Sequence, residues 1–327
     1  HETYGEDPYL TTQLGKAYIH GLQGDGEYLK SAACAKRFAV HSGPEAQRHS
    51  FNVEISRKDM EDTYLPAFEA AVKEANVESV MGAYNAVNGA PCNGSTELLK
   101  DILREEWGFQ GHVVSDCWAV RDFHENHHVT DTPAESTAMA LKAGCDLNCG
   151  CTYRCLITAL HQGLVTEEEI RRSAVRLFTT RYLLGIMDGQ QTQFDQIPYS
   201  VIESKEHLAS AREAAEKGCV LLKNNGILPL DRKALKTIAV VGPNADSRVA
   251  LIGNYHGTAS RYTTVLEGIQ DAVGDDVRVL YSQGCHLFKD RVENLGKADD
   301  RLAEAVTVTE LADVTILVLG LDETLEG

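Results

Sequence analysis

The 327-residue sequence predicts an α/β fold: a parallel sheet with helices between its strands, followed by a second, shorter α/β unit. Three observations predict it. Short apolar runs alternate with stretches whose apolar residues recur at helical spacing, several of them opened by capping signatures. The runs end in polar residues at Lys36, Tyr84, Asp116 and Asp146, and the last two steps are 32 and 30 residues, the length of a βαβ unit. Composition then shifts at Met187 to Tyr199, where Gln190, Gln191, Gln193 and Gln196 precede Pro198 and read as a linker.

In chain order, Asp7 is an N-cap with Pro8 at the first helical position, and Leu10, Leu14, Tyr18 and Leu22 follow on one face until Gly24. Ser31 to Phe38 is small and apolar up to Lys36 and reads as a buried strand with a polar tip. After the polar loop from His41 to Asn52, Ser56 and Asp59 form a capping box for a helix carrying Tyr64, Leu65, Phe68, Ala71 and Val72. Val77 to Tyr84 is the next strand. Ser95 opens a helix with Leu98, Leu99, Ile102 and Leu103, and the run Gly111 to Ser115 then ends in Asp116. Thr132 with Glu135 caps a helix that stops at Gly144, Cys145 to Asn148 reads as a short strand, and Thr166 with Glu169 caps a long helix ending near Gly185. Past the linker come a helix from Lys205 to Lys217, a strand from Cys219 to Lys223, a tight turn at Asn224-Asn225-Gly226, and strands at Thr237 to Val241, Arg278 to Tyr281 and Val314 to Leu319. A helix from Lys297 to Leu311 lies between the last two strands.

Four polar tips on one edge match the catalytic face of a barrel. An open doubly wound sheet would also place its site at the strand ends, so periodicity leaves both architectures open. Asp116 has two readings in turn, a helix N-cap for the segment starting at Trp118 or a catalytic carboxylate. Lys36 and Tyr84 on the same edge favour the second, because a nearby cation keeps a carboxylate ionised and a phenol can orient it.

The net charge of −17, from 31 basic and 48 acidic residues, disfavours nucleic acid and anionic lipid as partners. No stretch approaches the ~20 apolar residues of a membrane span. Nine Cys, with Cys145, Cys149, Cys151 and Cys155 crowded together, could suggest zinc. Their C-x3-C-x-C-x3-C spacing is unlike paired knuckles, so buried free thiols are expected, with no metal and no cofactor. Unpaired thiols favour a reducing, cytoplasmic location.

His1-Glu2-Thr3-Tyr4-Gly5-Glu6-Asp7-Pro8, Ala35-Lys36-Arg37-Phe38, Met81-Gly82-Ala83-Tyr84-Asn85 and Val114-Ser115-Asp116-Cys117-Trp118 resemble, in this order, signature segments of glycoside hydrolase family 3. Leu221-Leu222-Lys223-Asn224-Asn225-Gly226-Ile227-Leu228-Pro229-Leu230 and Val240-Val241-Gly242-Pro243-Asn244-Ala245 resemble the opening of that family's second domain. The resemblance implies a partial (β/α)8 TIM-type barrel over residues 1–188, a linker over 189–204 and a partial α/β sandwich over 205–327. It implies a retaining exo-acting β-glycosidase for terminal β-D-xylosyl or β-D-glucosyl residues, with a slight lean to xylose. Asp116 would be the nucleophile. Glu326 in Thr324-Leu325-Glu326 would be the acid/base, with Glu323 as runner-up. Lys36 and Arg37 would hold sugar hydroxyls, and Tyr84 would hydrogen-bond the nucleophile. Met81, Arg48, His49 and Trp118 complete the expected pocket. Arg48 and His49 could equally serve the surface, and Trp118 could equally pack in the core.

The sequence departs from the family in three respects. Arg37 stands where the family usually has His, a forked cation that needs more room. The opening of the barrel is expected to be missing, since only four of eight strands are visible. The chain stops one residue after Glu326, so the fragment alone is expected to have low stability and little activity. Two other readings stay open: a β-N-acetylhexosaminidase with a His from the loop His41 to His49 as acid/base, and a non-catalytic sugar-binding or structural fragment. A small carbohydrate is the expected partner, and a homodimer stays open.

Overall fold

The computed structural model describes residues 4–187, 189, 191–253, 256–287, 300–323 and 325. They divide into two compact units, His1–Pro198 and Tyr199–Gly327.

The first unit is built on three parallel strands in sequential order: β1 (Cys34–Phe38), β2 (Ser79–Gly82) and β3 (His112–Ser115). Local chemistry sets the helices around them. Asp7 Oδ1 accepts the Leu10 N–H at 3.0 Å to open Pro8–Gln23. Ser56 caps the helical run that leads into Pro66–Lys73. Reciprocal capping boxes at Thr132 and Thr166 open Pro133–Ala143 and Glu167–Leu183. The core lies between sheet and helices, where Phe38 meets Phe68 and Trp107 edge-on and Leu98, Leu99, Ile102, Leu103 and Val113 are buried.

β1 carries a bulge. Lys36 pairs with Met81 and Phe38 with Gly82, so Arg37 is the extra residue. A bulge re-aims its side chain, and here it carries Arg37 to the C-terminal edge of the sheet. β1 is also less buried than expected, with Cys34 and Lys36 both exposed.

The strand expected at Cys145 to Asn148 shrinks to one parallel bridge, Val114 to Leu147. The Asp146 carboxylate takes the Val113 N–H at 2.9 Å, replacing a ladder carbonyl, and ion-pairs with Arg104 at 2.6 Å and Arg176 at 3.1 Å. Asp146 is therefore a buried anchor and not a fourth tip at the C-terminal edge of the sheet.

Gly111 enters β3 directly against the backbone of Glu78, where a Cβ would lie 1.9 Å from the carbonyl oxygen. Because backbone must move to admit it, Gly111→Ala is expected to lower stability by about 1–3 kcal/mol, read by urea unfolding.

At the opposite end of the strands from the site, His112 lies between Ser79 Oγ (3.2 Å) and Thr180 Oγ1 (2.7 Å), and the Thr180 hydroxyl donates to Glu78. Burial holds its pKa below the ordinary 6.5. Below about pH 6.5 the unfolded chain binds a proton that the folded chain refuses, so this contribution to stability is present above that pH and lost as pH falls. Unfolding free energies measured from pH 7.5 down to 5 should decline more steeply for the unsubstituted chain than for His112→Gln.

In the second unit a parallel sheet places β4 (Thr237–Val241) between β5 (Arg278–Ser282) and β6 (Val314–Leu317). Helix Val265–Val273, opened by a capping box at Thr264, covers one face through Leu266 and Val273, which pack with Ile238 and Val240. Helix Leu302–Glu310 covers the other through Ala305, against Ala239 and Val241. That helix is shorter than expected, and 297–299 lie outside the described residues. The run Cys219 to Lys223 forms no strand. Among the described residues it finds no ladder partner, and Leu222 is 92% exposed. The turn after it is present, with Asn224 Oδ1 accepting the Gly226 N–H and Gly226 at φ 91.

Candidate active site

The C-terminal ends of β1, β2 and β3 bring Arg37, Tyr84 and Asp116 together. Asp116 follows β3 directly and is 6% exposed. Its own N–H donates to Gly82 O across the sheet, and its Oδ1 accepts the N–H of Cys117 at 2.9 Å. It is not the cap of the following helix, which begins at Asp122. Arg37 Nε lies 2.8 Å from Asp116 Oδ2 as an ion pair, off the line of a hydrogen bond, and no described residue hydrogen-bonds this oxygen. One carboxylate oxygen is thus pinned by backbone while the other faces the Arg37 guanidinium. The Tyr84 phenol reaches the same carboxylate. Burial first, and then the charge of Asp116, push its pKa upward, so it remains a donor across the physiological range.

The loop after β1 gathers around Tyr84. The guanidinium carbons of Arg37 and Arg48 stand 5.7 and 5.9 Å from its ring centre, and the His49 ring meets it edge-on at 4.7 Å. His41 bridges Arg37 Nη1 and Asn85 Oδ1, both at 3.2 Å, and burial depresses its pKa. Arg37 from the strand and Arg48 and His49 from the loop thus share one aromatic ring whose hydroxyl addresses the carboxylate.

Lys36, Met81 and Trp118 lie on or just after the same three strands. Lys36 is exposed on β1 opposite Met81, and the charges of both Lys36 and Asp116 act on the Cys34 thiol. Met81 sits in β2 between Lys36 and Val114 and is half-buried. Trp118 is 42% exposed, so it is not a core residue. Its backbone is left-handed at φ 68, its N–H donates to Cys149 O at 2.7 Å, and the Arg121 guanidinium covers its ring at 5.1 Å. Gly150 lets this ring approach, since a Cβ there would sit 3.2 Å from it. Glu326 lies outside the described residues, and Glu323 is exposed in the second unit. Among the described residues no cluster of three or more His, Cys, Asp or Glu could hold a metal ion.

Sequence reasoning missed Asp122 and His127. Asp122 is fully buried and accepts from His49 Nδ1 at 2.8 Å, and His127 Nε2 bonds the Tyr84 carbonyl at 2.9 Å. Their one signal was the polar run that follows Trp118.

Residues 1–180 match the glycosyl hydrolase family 3 N-terminal domain and residues 219–327 the family's C-terminal domain. The chain is 44% identical over 306 residues to a xylan 1,4-beta-xylosidase of Xylanibacter ruminicola, covering 91% of this chain and 35% of that protein. It is 38% identical to a beta-xylosidase/alpha-L-arabinofuranosidase of Medicago sativa, covering the whole chain and 42% of the relative. Among solved structures, a family 3 exo-beta-xylosidase in complex with a xylobiose aziridine probe superposes with a TM-score of 0.85 at 34% identity, over 99% of this chain and 42% of that one. A beta-glucosidase from Erythrobacter marinus gives 0.81 at 34% identity, over 98% of this chain and 45% of that one. The chain therefore spans less than half the length of these relatives, and its α/β fold is that of part of a TIM-type barrel followed by part of a sandwich. On both domains and in the right order, the chain belongs to glycosyl hydrolase family 3.

Proposed function

We propose that the protein carrying this chain is a retaining exo-acting β-glycosidase that removes terminal β-D-xylosyl or β-D-glucosyl residues by double displacement, with xylosides the better substrates. The observation that carries the reading is the buried Asp116 carboxylate at the end of β3, with one oxygen pinned and the other facing Arg37. In this reading Oδ2 attacks the anomeric carbon as the glycosidic bond breaks, and Glu326 protonates the leaving oxygen. Glu326 then takes a proton from the water that opens the glycosyl ester, which requires the two carboxyl groups ~5–5.5 Å apart. Lys36, Arg37 and Arg48 offer donors to sugar hydroxyls, His49 lines the same pocket, Tyr84 orients the nucleophile, and Met81 and Trp118 give apolar walls. The lean to xylose rests on the names of the relatives, most of which are xylosidases. Residues 1–188 serve as the barrel part, 189–204 as linker and 205–327 as the sandwich part, a division supported by the two family matches. A homodimer belongs to the same reading and is checked by light scattering.

The test assays the whole protein on aryl β-xyloside, β-glucoside and β-N-acetylglucosaminide, then traps it with a 2-fluoro glycoside whose second step is slow. The expected result is xyloside and glucoside turnover and a sugar adduct on the peptide containing Asp116. Preference for the N-acetylglucosaminide would favour the hexosaminidase reading, and no turnover on any of the three would favour a non-catalytic module.

A further inference from the structure

We propose that Asp122 is a positioning residue that fixes the tautomer of His49, so that the Nε2 lone pair of this imidazole takes a substrate hydroxyl beside Tyr84. The inference deepens the glycosidase reading and rests on it.

The carboxylate of Asp122 is fully buried, and its two oxygens have separate donors. Oδ2 faces His49 Nδ1 at 2.8 Å and Oδ1 accepts the Asn126 amide at 2.6 Å. A carboxylate is acceptor-only, so the His49 nitrogen that faces it must carry the proton. In the neutral ring the other nitrogen is then an acceptor. His49 is half-exposed, with a side-chain exposure of 46%. Since its Nδ1 edge abuts a group with no exposed surface, the accessible edge is the one bearing Nε2.

The placement of this edge suits a sugar. The ring meets Tyr84 at 4.7 Å, and Tyr84 in turn addresses Asp116. Asp122 is itself anchored. It starts the short helix Asp122–Glu125 just beyond the nucleophile loop, and the next residue, Phe123, is buried in the core. The same segment holds Tyr84 from behind through His127. The nucleophile, the Tyr84 backbone and the His49 ring are thus registered to one stretch of twelve residues, 116–127. A partner that orients a functional imidazole commonly matters nearly as much as the imidazole.

Asp122→Asn is a sharp probe, because His49 and Asn126 face different oxygens of Asp122 and an amide keeps only one of them as an acceptor. If it keeps Asn126, its NH2 faces Nδ1 and drives the imidazole proton to Nε2. Side-chain 15N shifts of His49 in the whole protein at pH 8, assigned by their loss in His49→Ala, should show the proton on Nδ1 in the unsubstituted protein and on Nε2 in Asp122→Asn. Turnover should fall about tenfold in kcat/KM, carried mainly by KM, and Asp122→Asn should cost nothing further in the His49→Ala background. A proton on Nε2 in the unsubstituted protein overturns the proposal, and this arm stands even if Asp122→Asn fails to fold. An equal loss with and without His49 also overturns it, since that is the signature of a purely structural carboxylate. The tautomer is read without turnover. An inactive but correctly tautomerised protein would therefore refute the glycosidase reading and, with it, the hydroxyl contact of His49.

Discussion

With Asp116 replaced by Asn, hydrolysis of aryl β-glycosides by the whole protein is expected to fall about 10⁴-fold or more, the scale seen when a covalent nucleophile is removed. An amide has no charge with which to attack the anomeric carbon, and no described residue beside it can take over. Arg37 and Tyr84 are both donors here. The shape of the site survives, because Asn keeps the oxygen that accepts from Cys117 N–H. Some stability should be lost as well, since the half-buried Arg37 guanidinium then faces a neutral group. Smaller Asp116→Gly opens room for a small anion such as azide, which should restore turnover from the same face and yield a glycosyl azide of inverted configuration. Residual activity within tenfold of the unsubstituted enzyme would remove Asp116 from the nucleophile role.

The largest effect on stability is expected at Asp146. Its side chain has no exposed surface and neutralises Arg104 and Arg176 while accepting the Val113 N–H. Burial pulls the Arg104 pKa down to about 10 even with Asp146 beside it. Asp146→Ala leaves two guanidinium groups facing a void and a β3 N–H without an acceptor. Such one-sided removal from a buried ion pair costs about 3–5 kcal/mol. Asp146→Asn keeps the acceptor for Val113 and should lose less. Denaturant midpoints rank the three chains, and a loss below ~1 kcal/mol for Ala would mean that water reaches the two arginines.

These two aspartates show what could be read from the sequence. Both end apolar runs at βαβ spacing and look alike in one dimension. Asp116 stayed at the sheet edge, whereas Asp146 was drawn inward by arginines 42 and 30 residues away in the chain. Local signals were dependable: Asp7, Ser56, Thr132 and Thr166 all cap the helices expected, because a cap is decided within four residues. Cys219 to Lys223 had the composition of a strand, but composition does not supply a ladder partner. In the site, Lys36, Tyr84 and Asp116 were legible as strand tips. Asp122 was not, because its role depends on His49, 73 residues distant. Arg37 was noticed only as an unusual residue type. Its reach to Asp116 depends on a bulge, which no residue in the run Ala35-Lys36-Arg37-Phe38 announces.

That bulge makes the site sensitive to residue count as well as residue type. Replacing Arg37 with another side chain would retune the charge opposite Asp116 and leave the strand in place. Deleting one residue anywhere in β1 would instead restore regular one-to-one pairing with β2 and absorb the extra residue. Phe38 would keep Gly82 as its partner and its place in the core against Phe68 and Trp107, but no extra residue would be left at the bulge to face Asp116. Over evolutionary time this strand can therefore vary the residue facing Asp116 by point substitution, while insertions and deletions in it should be purged.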